Sequence, residues 1–159
     1  MPQSVQIDDI DRRILRTLAA DGRVSNARLA HIVGLSASPC WQRVKRLEDN
    51  GIISGYRAML NQESLGAPEI VLIEVVLDRH DDQTLEVFGR EMEKLHEVLE
   101  VHLTTGEYDY LIKVAVNGTR GYEEFLRKKL YKVPGIRHSR SSFVLRSLKN
   151  VQAYLPDEE

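Results

Sequence analysis

Residues 33–51 read VGLSASPCWQRVKRLEDNG and set Arg43, Lys45 and Arg46 within four positions, behind Ser36, Ser38 and Pro39. The apolar spacing is that of a helix. At about 100° per residue, Cys40, Val44 and Leu47 fall within roughly 60° of one another and make a core stripe. The opposite face carries Ser38, Gln42, Lys45, Arg46 and Asp49, with Trp41 and Arg43 on its flanks. Each of these types has a use on duplex DNA. Lys45 or Arg46 can donate to guanine edges or to phosphate, Gln42 can pair bidentately with adenine, and Ser38 can reach base or backbone. The helix start near Ser36 to Ser38 offers backbone N–H groups to a phosphate. Pro39 falls in the first turn, where its missing N–H costs nothing. Trp41 is expected to pack on the flank. Cys40, on the core stripe with no His or Asp beside it in sequence, reads as a small buried hydrophobe and not a nucleophile. A basic helical face is ordinarily just a solvated face, so the neighbouring elements must decide.

A second constellation is TTGEYDYL, residues 104–111. Gly106 permits a backbone turn that other residues resist. Asp109 follows Glu107 by two positions. An Asp beside a Gly turn commonly bonds its own backbone, which is the plain alternative to ligand contact.

The elements that hold these residues follow from periodicity. Ile7, Ile10, Ile14 and Leu18 recur at helical spacing, with Asp8 or Asp9 as cap and Gly22 past the end. Ser25 caps a second short helix, with Leu29, Ala30 and Val33 buried and Gly34 as its stop. The quoted helix is the third and ends near Asn50-Gly51. Three short helices with a tight turn between the last two form a helix-turn-helix candidate. Residues 52–60, IISGYRAML, suit a short strand, and NQESLGAP, residues 61–68, suits a linker. Beyond it come a buried strand (70–77), a helix marked by Leu85, Phe88, Met92 and Leu95, and a hairpin turning at Gly106-Glu107. A second helix follows, marked by Tyr122, Phe125, Leu126 and Leu130, and a last strand over 137–148. The order β-α-β-β-α-β is the ferredoxin-like arrangement. The expected class is therefore α+β, with a helix-turn-helix domain over 1–52, a wing strand and linker over 53–68, and a ferredoxin-like domain over 69–159.

Charge is divided along the 159 residues. The net charge is −2, yet residues 1–60 hold nine basic and six acidic side chains, and residues 61–159 hold thirteen and eighteen. A basic first third on an acidic remainder suggests two jobs on one chain. One cysteine allows no intrachain disulfide and fits a reducing compartment. No apolar run approaches the roughly 20 residues of a membrane span. MPQSVQIDDIDRR lacks the pattern of a signal peptide, so a cytoplasmic protein is expected. GREMEKLHEVLE (89–100) has a mixed-charge solvated face, and the basic run RKKLYK (127–132) suits a solvated or subunit-facing surface. The five histidines show no metal-ligand spacing, and no P-loop, G-x-S-x-G or G-x-G-x-x-G stretch occurs. Neither metal nor cofactor is expected.

IDDIDRRILRTLAADGRVSNARLAHIVGLSASPCWQRVKRLEDNGIISGYRAMLN resembles the DNA-binding half of the Lrp/AsnC, or feast/famine, regulators, and VHLTTGEYDYLIKV resembles their effector-domain signature. The resemblance runs from about Ile7 to Leu148. It implies a winged helix-turn-helix joined to a ferredoxin-like regulatory (RAM-type) domain that binds an effector and oligomerises. It implies homodimers, often four in an octameric ring, bound to double-stranded DNA and modulated by a small effector, commonly an amino acid, held between dimers. Carried onto this chain, Ser36, Ser38, Pro39, Gln42, Arg43, Lys45, Arg46 and, from the wing, Arg57 would meet DNA. Leu103, Thr105, Gly106, Glu107, Tyr108 and Asp109 would border the effector. Turn N–H groups would hold its α-carboxylate and Asp109 its α-ammonium. Ser142, Phe143 and Val144 resemble the other pocket wall. The alternative is an enzyme: siroheme decarboxylases share a similar two-part architecture, and His102 and His138 could face each other across neighbouring strands.

Overall fold

The computed structural model describes residues 6–151, 153 and 155. The chain divides into two compact units, one running to Met59 and the other from Leu60 to Asn150, with Val151 grouped with the first. No helix among the described residues is long and apolar enough to cross a membrane.

The first unit is three helices, α1 (Asp9–Ala20), α2 (Asn26–Val33) and α3 (Ala37–Asp49). Asp8 caps α1 in a reciprocal capping box. Its carboxylate accepts from the Asp11 N–H at 2.8 Å, and the Asp11 carboxylate accepts from the Asp8 N–H at 3.3 Å. Ser25 caps α2, and Gly34 ends it with φ 75°, a left-handed conformation that glycine adopts without steric cost. Asn26 then donates from Nδ2 to the Ala37 carbonyl at 2.8 Å, which ties the start of α2 to the start of α3. Ile14, Leu29, Ala30, Val33, Cys40 and Leu47 form the buried core. Each large aliphatic member is worth about 1.5–3 kcal/mol of burial.

Residues 54–60 form no strand. The strand expected over 52–60 is thus a correction: Ile52 and Ile53 pack on the helical core instead, and the rest has no neighbouring ladder to join. A strand is stabilised by its partner, so periodicity alone does not make one. Of the wing and linker expected over 53–68, the part to Met59 belongs to the helical unit and the part from Leu60 to the sheet unit. Arg57 is exposed on irregular backbone, not on a wing hairpin.

The second unit is a four-stranded antiparallel sheet in the order β2-β3-β1-β4, from β1 (Glu69–Leu77), β2 (Val98–Leu103), β3 (Tyr110–Val116) and β4 (Ile136–Phe143). Helices α4 (Asp82–Glu93) and α5 (Gly118–Lys128) connect them, and a 3-10 turn (Leu130–Lys132) follows α5. The expected βαββαβ order is present. Val71, Ile73, Val75 and Leu77 of β1 are buried with Ile112 and Val114 of β3, against Phe88 and Met92 of α4 and Phe125 of α5. Phe88 and Tyr110 pack with tilted rings, centroids 4.8 Å apart, and the Tyr110 hydroxyl donates to the Leu85 carbonyl at 2.7 Å.

Two expectations change here. β4 stops at Phe143, not Leu148, because its partner β1 runs out: Phe143 pairs with Val71, and the Val144 N–H makes one more bond to the Ile70 carbonyl at 2.8 Å. Leu145 and Leu148 are exposed. His102 lies on β2 and His138 on β4, the two edges of the sheet, so β3 and β1 separate them and they do not face each other across neighbouring strands.

Candidate functional site

Helix α3 presents its N-terminal end and one long face to solvent. Ser36 is its N-cap, with no capping bond from its own side chain. Ser36, Ser38, Pro39, Gln42 and Lys45 are all exposed; Ser38, Gln42 and Lys45 share one side of the helix, and Ser36 and Pro39 lie at its N-terminal end. Lys45 pairs along the helix with Asp49 at 2.8 Å and keeps half its side-chain surface in solvent. The Asp49 carboxylate raises its pKa, so the ammonium stays charged. Cys40 is fully buried and burial pushes its thiol pKa up, as an inert core residue requires.

The two arginines are differently placed from the free donors that the helical projection suggests. Arg43 donates from one guanidinium nitrogen to Asp8 at 2.6 Å and to Asp11 at 2.9 Å. Arg46 also bonds Asp11. Asp11 is the buried charged residue of this unit, with none of its surface exposed. A buried carboxylate needs compensating charge and hydrogen bonds, and the two arginines of α3 supply both. Part of each guanidinium therefore clamps α3 onto α1. Spacing along α3 could not show this, because the partner lies more than thirty residues away, although the Asp8–Asp11 spacing does carry the capping-box signal. Among the described residues, Ser36, Ser38 and Gln42 carry unclaimed donors, and Lys45 keeps N–H groups beyond its pair with Asp49. Trp41 is 57% exposed and joins that face, where sequence periodicity placed it as a flank packing residue.

In the sheet unit, residues 104–109 form the loop between β2 and β3. The Thr104 N–H donates to the Asp109 carbonyl at 2.8 Å and the Thr104 hydroxyl to the Tyr108 carbonyl at 2.8 Å. Gly106 has φ 122° and open space where a Cβ would stand, so backbone conformation, not crowding, calls for glycine. Leu103, Thr105 and Glu107 are exposed, and Tyr108 is half-buried. Asp109 is occupied. Its carboxylate accepts the Leu77 N–H at 2.7 Å and lies 2.9 Å from Nδ1 of His80. It anchors the loop to the end of β1. His80 enters the site as a residue the sequence reading passed over; nothing in its spacing marks it.

Ser142, Phe143 and Val144 lie at the other end of the sheet. The loop end of β3 pairs Tyr110 with Val75, whereas Phe143 pairs with Val71. Four residues of β1 separate the two, about 13 Å along the strand. Phe143 packs edge-on against Tyr122 at 5.2 Å, and Tyr122 bonds Ser141. One chain does not bring the two expected pocket walls together.

The sheet has one covered face and one open face. Opposite the helices stand Leu72 with Lys113 and Ser142, Glu74 with Leu111 and Arg140, and Val76 with His138. Glu74 bonds Arg140 at 2.7 Å, and Glu100 bonds Lys113 at 2.8 Å. Leu72, Val76 and Leu111 are half-buried among these pairs.

The comparisons with known proteins agree with both units. Residues 7–54 match a winged helix-turn-helix DNA-binding family, and residues 70–154 match the Lrp/AsnC ligand binding domain. The chain belongs to the Lrp/AsnC family. It is 41% identical over 143 residues to the leucine-responsive regulatory proteins of Escherichia coli and Salmonella typhimurium, covering 90% of this chain and 87% of each relative. Among solved structures it is similar to a transcriptional regulator of Neisseria meningitidis in complex with L-Met. That match has 35% identity and a TM-score of 0.89, over 95% of this chain and 97% of the other. A feast or famine regulatory protein of M. tuberculosis complexed with L-methionine shares 31% identity at a TM-score of 0.83, over 95% and 100%. As an Lrp/AsnC protein, the chain is a DNA-binding transcription regulator with an amino-acid effector domain.

Proposed function

We propose that this Lrp/AsnC regulator is a cytoplasmic, non-enzymatic homodimer, assembling to an octamer, that reads pseudo-palindromic DNA with one α3 per half-site and controls amino-acid metabolism. The observation that carries the DNA-reading part is the exposed face of α3: uncharged hydrogen-bonding groups, with the cation Lys45, on a helix locked to its own domain by Arg43 and Arg46. Pre-set donors in the major groove favour sequence reading over loose attraction. The open sheet face, with apolar residues between satisfied ion pairs, supports pairing of two sheets as the dimer contact.

The effector site is read as a shared one. Backbone N–H groups of residues 105–108 make no bond to a backbone carbonyl among the described residues, and they suit a carboxylate. The register keeps residues 142–144 away from the loop of their own chain, which supports a second wall supplied by another subunit. An amino acid held in this way couples ligand binding to assembly, and assembly to the spacing of DNA-binding heads. Relatives crystallised with methionine make a small apolar amino acid the first class to test.

The test is a binding titration on DNA upstream of the protein's own gene and of its neighbour, at two salt concentrations, with and without pooled amino acids. Specific binding should weaken steeply with salt and change with the pool. Absence of binding at low salt under both conditions would overturn the reading.

A further inference from the structure

We propose that Trp41 is a sequence-reading residue, its indole packing against the 5-methyl group of a thymine in the major groove. The inference rests on the DNA-binding reading of α3 and deepens it. Trp41 is the chain's single tryptophan, and it stands 57% exposed on a helix whose core side is filled by Cys40 and Leu47. A large apolar ring left in water forgoes substantial stabilisation, so its free face invites a partner. Its neighbours along the exposed side are Ser38, one turn before, and Lys45, one turn after, with Gln42 beside it. Those are groups for base edges and phosphates. A helix inserted by that face carries the indole in with them.

The chemistry of the groove selects the contact. A duplex base is stacked on both faces, so the ring has no base plane to lie on. The indole has one N–H donor and no charge, so it is a poor partner for phosphate. What the major-groove wall offers to an apolar ring is the thymine methyl. The two arginines of the helix are engaged with Asp8 and Asp11, which leaves more of the discrimination to the uncharged residues. The other candidate occupant, a second copy of the chain, is tested by the same experiment.

The test uses the full-length protein and a DNA site that it binds specifically. Each thymine is replaced in turn by deoxyuridine, which keeps the pairing edge and removes only the methyl. The wild-type protein should lose about fourfold in affinity at one thymine per half-site, the worth of one buried methyl group. Trp41→Ala should bind the thymine and uracil forms of that position equally, while Trp41→Phe keeps part of the preference. The dependence on salt should be the same in all three proteins, since phosphate contacts are untouched. Because Trp41 is exposed, the thermal melt of Trp41→Ala should match the wild type, which removes misfolding as an explanation. In the wild type, specific DNA should also change the tryptophan fluorescence. Specific binding by the wild type with no thymine preference, or the same preference in Trp41→Ala, overturns the proposal and leaves the DNA-binding reading standing. Failure of the wild type to bind any site specifically overturns both.

Discussion

Asp11 is the residue on which the DNA-binding unit turns. Its carboxylate is buried, closes the capping box of α1, and accepts from Arg43 and Arg46 of α3. Asp11→Ala should lower stability by on the order of 2 kcal/mol, the scale of charge-assisted hydrogen bonds lost from a buried acceptor. Arg46→Ala should lose on the order of 1 kcal/mol, because Arg43 still serves the carboxylate. Denaturant titration checks both, and an unchanged midpoint for Asp11→Ala would show the clamp to be inert. Asp8 adds a pH dependence. The Asp11 N–H is the largest influence and lowers its pKa below the ordinary 3.8; burial opposes it, and the Arg43 guanidinium adds to the lowering. A folded-state pKa below the unfolded one stabilises above the unfolded value and loses that contribution as pH falls through the folded one. Asp8→Asn should therefore be less stable than wild type near neutrality, and the gap should close below about pH 4. A gap that stays constant down to pH 2 would assign the effect to something other than this carboxylate.

At the scale of elements, the proposed effector reading divides the β2–β3 loop between holding and binding. Asp109 holds: it caps the end of β1 through the Leu77 N–H. Asp109→Ala should lower the melting temperature with no effector present, by an amount matching about 1–2 kcal/mol. Glu107 is exposed and has the opposite profile. Glu107→Ala should leave the melt within about 0.5 kcal/mol of wild type and act only on the response to amino acids. Melting curves with and without the pooled amino acids distinguish the two. Equal effects of both substitutions on the bare protein would contradict this division. The turn between α2 and α3 shows the same logic, since Gly34 and the Asn26–Ala37 bond set the angle at which α3 leaves its neighbour.

At the scale of the whole molecule, the divided charge matters. On the proposed assembly, a chain of net charge −2 binds DNA by presenting several basic heads together, which would make assembly part of affinity. Leu111 lies half-buried on the open sheet face, opposite Glu74. Leu111→Lys, opposite an acidic partner, should leave the monomer fold intact and, on the proposed sheet pairing, shift the protein towards monomers in sedimentation and weaken DNA binding as the two half-site contacts are unlinked. An unchanged sedimentation coefficient would overturn the proposal that this sheet face is a dimer contact.

Much was legible in the sequence because it is local. Caps at Asp8 and Ser25, the stop at Gly34, the core stripe Cys40–Val44–Leu47 and the alternation of β1 depend on neighbours a few residues away, and they fixed the three helices and the βαββαβ order. The exposed placement of Ser38, Gln42 and Lys45 follows from the same periodicity. What only the tertiary structure decided is long-range pairing. Arg43 and Arg46 found a buried carboxylate on another helix, Asp109 found the backbone of β1, and β4 ended where β1 offered no further edge. The register put residues 142–144 and the 104–109 loop at opposite ends of one sheet. Charge neutralisation and ladder registry are satisfied between segments distant along the chain, and no window of sequence contains both partners.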